Sequence, residues 1–420
     1  MRVWLLQTGE PLHSDGGAPR PMRAMNLADA LVAQGHSVEV WSSAFYHQEK
    51  RHRSRRFESV RIHDRLVVHL IPSMGYVRNI GPARLIDHAQ MALRLWRLLR
   101  SERFGKPDVA FVGYPPIEVA WVMLRWLRRL GVPSFIDVKD QWPSLFVDAM
   151  PDALKPVAKW VFAPYFWLGR QAMRNASAIT SMSQPFLEWS LRFCGRARRF
   201  SDAVVPLVPA RTLVTEAQMW EAKQWWADAG VDLGQGPCFS FVGSLSQAFD
   251  FTALKGAAEQ LHRLHPTCRL VICGSGAEAS SVQSLFAGLN HVVFPGWIDA
   301  PKIAALMAAT VATLAPYRNT PDFQLSIPNK VLDSLAFGLP VVTALQGEVE
   351  ELIAEGGVGL VCTDTPEGWL LALRRLLEDA EGRRDMSRRA AALYSERYDA
   401  RSVYGSFVTR MEKLALDSHG

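Results

Sequence analysis

A chain of 420 residues with 49% hydrophobic and 21% charged side chains has the make-up of a folded protein with a full core, and its length suggests two domains. Disorder is excluded, and no apolar run reaches the roughly eighteen residues needed to span a bilayer. Five scattered cysteines with no CxxC pair, and a formal net charge of +6, argue against a disulfide framework or a zinc site and point to a cytoplasmic, basic protein.

The N-terminal apolar run is too short for a signal peptide and reads as a first strand, residues 2–7. A loop, His13-Ser-Asp-Gly-Gly-Ala-Pro-Arg20, and a helix over about 21–34 lead to a second strand at 38–42. This is a βαβ unit, which implies a parallel sheet and a right-handed crossover. A helix over about 84–104 places Leu85, Ala89, Ala92, Leu93, Trp96 and Leu99 on one stripe, with Arg94, Arg97 and Arg100 off it. Strands follow at 108–113, 134–138 and 177–183, separated by a helix over 117–130 and an aromatic helix around 156–173. Val204-Val-Pro-Leu-Val-Pro209 breaks the rhythm with two prolines. A polar helix rich in Trp follows, and a second series then begins, with strands at 238–243, 269–274, 292–295, 311–315 and 341–344. Residues 367–397 are expected to be helical, and the last helix runs from about 402 to 416. The expected domains are 1–205 and 206–399, with the final helix, about 400–420, packing back on the first.

Five stretches carry the chemistry. Asp15-Gly16-Gly17 lets backbone N–H groups approach an anion closely, with Arg20 and Arg23 placed to assist. Asp137-Val-Lys-Asp-Gln-Trp-Pro143 follows a buried strand and offers Lys139 and Asp140, either for chemistry or as a pair that holds the loop. Gly243 and Ser244 end the first strand of the second series. Cys273-Gly274-Ser-Gly276 and Phe294-Pro-Gly-Trp297-Ile298 end two more, and Trp297 is placed either to stack on a base or to pack in the core. The last stretch is Ser326-Ile327-Pro328-Asn329-Lys330-Val-Leu-Asp333-Ser-Leu-Ala-Phe-Gly338-Leu-Pro340. Pro328 suits a first helical turn, Ser326 its cap, and Gly338 a left-handed stop. A helix N-terminus attracts phosphate, Lys330 adds a full charge, and Asp333 stands at a distance suited to a ribose hydroxyl.

The last stretch resembles the donor-binding segment of retaining family-4 glycosyltransferases, whose usual form ends Glu-Ala-Met-Ala-x-Gly-x-Pro-Val-Val. The nearest variant is the Ser-x-Pro-x-Lys type of bacterial surface-polysaccharide enzymes. The segment 137–143 is similar to their Arg-Asp-Leu-Trp-Pro, and 204–209 to their interdomain Val-Ile-Pro-Asn-Gly-Val. The resemblance implies the α/β GT-B fold, with two Rossmann-like doubly wound domains facing each other across a cleft. It implies a metal-independent, retaining transfer of a sugar to a lipid-linked or polysaccharide acceptor. The donor is a UDP- or GDP-linked sugar, with no other cofactor. It implies donor contacts from Gly16, Gly17, Gly243, Ser244, Gly274, Trp297, Ile298, Ser326, Ile327, Pro328, Asn329, Lys330 and Asp333.

Three departures stand out. Lys139 occupies the place of the usual catalytic histidine, and no basic residue lies between Gly243 and Lys255. Leu325 replaces the first acid of Glu-x7-Glu, which ends here at Asp333, so Gln324 or Ser326 is left to supply that contact. A non-catalytic partner subunit of a glycan-assembly complex and a sugar-nucleotide epimerase remain as alternatives. The basic clusters at Lys50–Arg56, Arg94–Arg103 and Arg192–Arg199 come without a nucleic-acid motif. They point to a peripheral position on an anionic membrane surface, or to a solvated arginine face.

Overall fold

The computed structural model describes residues 1–16, 20–77, 81–101, 103–148, 150–210 and 213–417. The chain divides into two compact units, Met1–Pro206 with Ala400–Gly420, and Leu207–Asp399.

The first unit is built on strands β1 (Arg2–Leu6), β2 (Ser37–Ser43), β5 (Glu58–His63), β6 (Leu66–Ile71), β7 (Val109–Tyr114), β8 (Ser134–Val138), β9 (Ala178–Ser181) and β10 (Ala203–Val204), while β3 (Phe45–Tyr46) and β4 (Arg51–His52) form a small ribbon. The eight-stranded sheet has the order β10-β9-β8-β7-β1-β2-β6-β5. Every pairing is parallel except β5 with β6. The inner strands β1, β7, β8 and β9 are buried on both faces, as parallel strands under helices must be, and their apolar runs made them legible. The chain leaves β1 in one direction and returns on its other side at β7, so the sheet's switch point lies between them. Ligands bind at the carboxyl ends of the strands beside such a point.

The hairpin β5–β6 was not anticipated. Its outer strand alternates exposed and half-buried residues, as an edge strand with a wet face does, and its apolar signal is correspondingly weak. The helix Pro82–Arg100 is present, but its apolar stripe is phased differently from expectation. Asp87, His88, Met91, Ala92, Leu95 and Leu99 face inward, whereas Ile86, Leu93 and Trp96 lie outside at 56%, 47% and 42% exposure. Apolar residues on two faces left the phase open in the sequence. The expected aromatic helix is two helices, Lys155–Val161 and Ala163–Asn175, with Pro164 opening the second. Gly169 in that second helix has no room for a Cβ beside the Tyr114 hydroxyl. The helix Ala400–Asp417 packs in this unit, with the Phe407 ring 5.5 Å from Phe111 and 5.1 Å from Phe135.

The second unit holds β11 (Cys238–Val242), β12 (Arg269–Cys273), β13 (Val292–Gly296), β14 (Thr310–Ala315), β15 (Val341–Thr343) and β16 (Gly359–Val361) in the all-parallel order β13-β12-β11-β14-β15-β16. The switch point lies between β11 and β14. The helical stretch expected at 367–397 is divided at Asp379, whose side chain accepts from the Gly382 N–H at 2.8 Å and starts a new helix.

Candidate functional site

In the second unit the carboxyl ends of β11 and β12 meet the start of the helix Asn329–Ala336. Gly243 follows β11 and donates its N–H to the Cys273 carbonyl at 3.0 Å. A Cβ on Gly243 would collide with Cε and Nζ of Lys330, and one on Gly274 would strike the Gly243 carbonyl. Gly274 also adopts a φ of +137°, so both position and conformation require glycine there. Gly243, Gly274 and Lys330, separated by up to 87 residues, therefore occupy one spot. The cation missing from the sequence after Gly243 is supplied in space by Lys330, whose ammonium lies 5.7 Å over the Phe241 ring. Asp333, three residues further along the helix, is half-buried.

The entry to this helix departs from expectation. Pro328 is the N-cap rather than a first-turn residue, and no side chain caps the helix. Ser326 is buried, and its hydroxyl donates back to the Asp322 carbonyl at 3.1 Å and the Phe323 carbonyl at 3.4 Å. Those carbonyls belong to the short helix Pro321–Gln324, an extra turn that the sequence did not advertise. Ser326 thus does not cap the helix. Gln324 donates to Asn319 at 2.9 Å, and Asn319 donates to Gln346 at 2.8 Å. The stop is as read: Gly338 has a φ of +66°.

Ile327 and Asn329 are half-buried, and Ser244 is exposed. Trp297 is 69% exposed, so its ring is not part of the core. Ile298 behaves oppositely: its side chain lies in the hydrophobic cluster with Val271, Cys273 and Leu306, leaving only its backbone for a ligand. The Gly274 N–H donates to the Gly296 carbonyl at 2.7 Å, which ties the Trp297 segment to the glycine pair. Arg318 was missed in the sequence. It pairs with Asp250 at 2.8 Å and donates to the Gln247 carbonyl at 3.1 Å, bracing the loop after Gly243.

In the first unit the loop after β1 and the segment after β8 share a network of buried charges. Lys139 and Asp140 do not pair as neighbours. The Lys139 ammonium meets the Glu10 carboxylate and lies 3.9 Å from Asp137. Glu10 also accepts the Ala24 N–H at 2.9 Å. Arg23 is buried and ion-paired with Asp137 at 3.2 Å, and it donates to the Val205 carbonyl. Asp15 anchors its loop through a two-pronged pair with Arg53 at 2.6 and 2.7 Å. The next residue, Gly16, is exposed with open space where a Cβ would stand, while Gly17 lies outside the described residues. Burial raises the Asp140 carboxyl above the usual aspartate range, and the charges of Lys139 and Arg84 partly oppose that. Glu10 is the member sequence reasoning missed, and Arg53, read as part of the basic run Lys50–Arg56 on a membrane-facing or solvated surface, is instead buried against Asp15. Only the fold brings them to Lys139 and Asp15.

Comparison with known proteins accounts for both units. The model described as "Glycosyl transferase 4-like domain" matches residues 21–207, and "Glycosyl transferases group 1" matches residues 236–379. Alpha-D-kanosaminyltransferase of Streptomyces kanamyceticus is 25% identical over 286 residues, covering 64% of this chain and 68% of the relative. Sucrose-phosphate synthase from Thermosynechococcus elongatus superimposes with a TM-score of 0.70 at 13% identity, covering 99% of each chain. Anabaena HepE in complex with UDP-glucose does so with a TM-score of 0.64 at 15% identity, covering 98% of this chain and 100% of that one. Each half of the chain carries a glycosyltransferase model, and the fold is shared along the whole length. The chain is a nucleotide-sugar-dependent glycosyltransferase with the two-domain GT-B fold.

Proposed function

We propose that this enzyme is a retaining, family-4 glycosyltransferase of the bacterial surface-polysaccharide type, using a UDP- or GDP-linked sugar and a lipid-linked or glycan acceptor. The observation that carries the donor site is the seating of Lys330 against Gly243, beside Gly274. The two glycines bring backbone close to a diphosphate, while Lys330 and the N-terminus of Asn329–Ala336 meet its charge. Asp333 takes the ribose, Trp297 stacks on the base, and the Ile298 backbone reads the base edge. As the glycosidic bond to the diphosphate breaks, negative charge grows on the leaving oxygen, and these donors are already in place to receive it. Lys139, held by Glu10, presents a cation on the acceptor side, and Asp140 orients the acceptor hydroxyl.

The enzyme works at an anionic membrane surface. Leu154, Val157, Trp160 and Val161 stand outside on and beside the helix Lys155–Val161, and Trp160 is 79% exposed. A cavity of about 340 Å³ is lined by Trp121, Arg125, Arg128, Arg129 and Trp167 on neighbouring helices. Apolar groups beside arginines suit an anionic interface.

Calorimetry with UDP and GDP on the parent and Lys330→Ala tests the donor site. One nucleotide should bind the parent, and the variant should lose on the order of 1.5–3 kcal/mol of affinity, the contribution of a charge-assisted contact. Equal affinity in the two proteins would remove the donor assignment.

A further inference from the structure

At the β5 edge of the eight-stranded sheet, across β1 from the segment after β8, three polar side chains form a relay. Ser59 of β5 lies directly opposite His69 of β6, and Glu39 of β2 pairs in register with Val67, two residues before His69. Side chains alternate between faces along a strand, so all three stand on one face. The Ser59 hydroxyl lies 2.8 Å from Nδ1 of His69, and Nε2 of that ring lies 2.9 Å from the Glu39 carboxylate. The second carboxylate oxygen accepts from Nε of Arg2 at 2.6 Å. Burial alone would raise the Glu39 carboxyl, but hydrogen bonds from His69 and Arg2 hold it below the usual range. An ionised carboxylate only accepts, so Nε2 carries the ring proton and Nδ1 is left to accept from the serine. Ring packing fixes the imidazole, whose centroid is 4.4 Å from that of Trp41, 5.1 Å from Phe104 and 6.1 Å from Phe57. His69 is buried, whereas Ser59 is exposed and open to a reactant. Arg61, two residues along β5 on the same face, has a side chain 73% exposed.

A nucleophile within hydrogen-bond reach of a base, with the base oriented by a third group, is the arrangement of a covalent catalyst. None of the three residues belongs to the sugar-transfer machinery described above. We infer that Ser59, His69 and Glu39 form a second active site, an acyl-transfer centre that takes carboxylic esters. Ser59 Oγ attacks the carbonyl carbon while its proton moves to Nδ1 of His69, and Glu39 stabilises the imidazolium. The C–O bond to the leaving alcohol then breaks, the alcohol oxygen takes the proton from Nδ1, and the acyl group stays on Ser59 Oγ. Water reverses the sequence: it attacks the acyl carbon and gives a proton to Nδ1, and that proton passes to Ser59 Oγ as the carboxylic acid leaves. Arg61 stands on the face where the carbonyl oxygen gains its charge. Phe57 and Phe104, both half-buried, offer an apolar wall for a short acyl chain.

The test treats the full-length enzyme with p-nitrophenyl acetate and, separately, with a fluorophosphonate that traps activated serines. The proteins are the parent, Ser59→Ala, His69→Gln and Glu39→Gln, each checked for an unchanged melting midpoint. The parent should release p-nitrophenolate, and peptide mapping should place the acetyl and phosphonyl groups on Ser59. Ser59→Ala should abolish both reactions. His69→Gln should slow them roughly 100-fold or more, and Glu39→Gln about ten-fold or more. Should His69→Gln lower the melting midpoint, the isosteric Glu39→Gln carries the test of the relay. Ester cleavage that persists in Ser59→Ala, labelling of Ser59 no faster than that of other exposed serines, or rates indifferent to His69 and Glu39 overturn the inference and make the three a structural hydrogen-bond chain. No nucleotide enters the assay, so either result leaves the donor-site assignment to its own test.

Discussion

Lys139 and Asp140 are adjacent in sequence, yet they have different surroundings, and those surroundings separate what they can do. Lys139 is fixed by Glu10 and held near Asp137, a cation in a charged network rather than a proton donor in search of a partner. Asp140 has a carboxyl raised by burial. A raised value means that the proton is retained to higher pH, so the carboxylate is lost sooner as the solution is acidified. If Asp140 orients the acceptor hydroxyl as a carboxylate, turnover falls on the acid side as pH drops through that raised value. Asp140→Asn should lower kcat by roughly 100-fold or more and abolish the acid limb of the profile, with UDP affinity unchanged. A variant that keeps the limb and the rate makes Asp140 a structural residue. At this scale the sequence yielded residue types but not pairings. Lys139 was visible and Glu10 was not, because 129 residues separate them and only the strand order β8-β7-β1 closes the gap.

Elements were legible in proportion to how strongly burial patterned them. The strands β1, β7, β8, β11 and β12 are short apolar runs because helices cover both faces, and each was located within a residue or two. The helix Pro82–Arg100 was located but misphased, since Ile86, Leu93 and Trp96 are apolar without being inside. The same excess of apolar surface marks Lys155–Val161. Its Trp160 has no core to enter, while Lys155 and Lys159 flank it. Trp160→Ser should therefore leave folding intact and reduce flotation with anionic vesicles ten-fold or more at low salt, because burying one large apolar side chain contributes on the order of 1.5–3 kcal/mol. Raising the salt should weaken binding of both proteins, as the arginine contribution is screened. Flotation that is equal in parent and variant, or absent from the parent, would mean that this face meets something other than lipid.

At the scale of the whole molecule, the chain leaves the first unit after Pro206, builds the second, and returns at Ala400. The returning helix has Phe407 at 4% exposure between Phe111 of β7 and Phe135 of β8, the strands that lead to the cis Tyr114-Pro115-Pro116 turn and to Lys139. The helix Ala400–Asp417 thus completes the core beneath the network of Lys139 and Glu10, although it follows the second unit in sequence. Phe407→Ala removes a buried ring from that core and should cost the first unit about 3–5 kcal/mol. Hydrogen exchange should locate the loss: amides of β7 and β8 should exchange faster, and those of β11 and β12 should not change. Because Lys330, Gly243 and Gly274 all belong to the second unit, UDP affinity should stay within two-fold of the parent while transferase activity declines with the stability of the first unit. Loss of UDP affinity in parallel with the exchange would show that the second unit depends on the returning helix for its own fold.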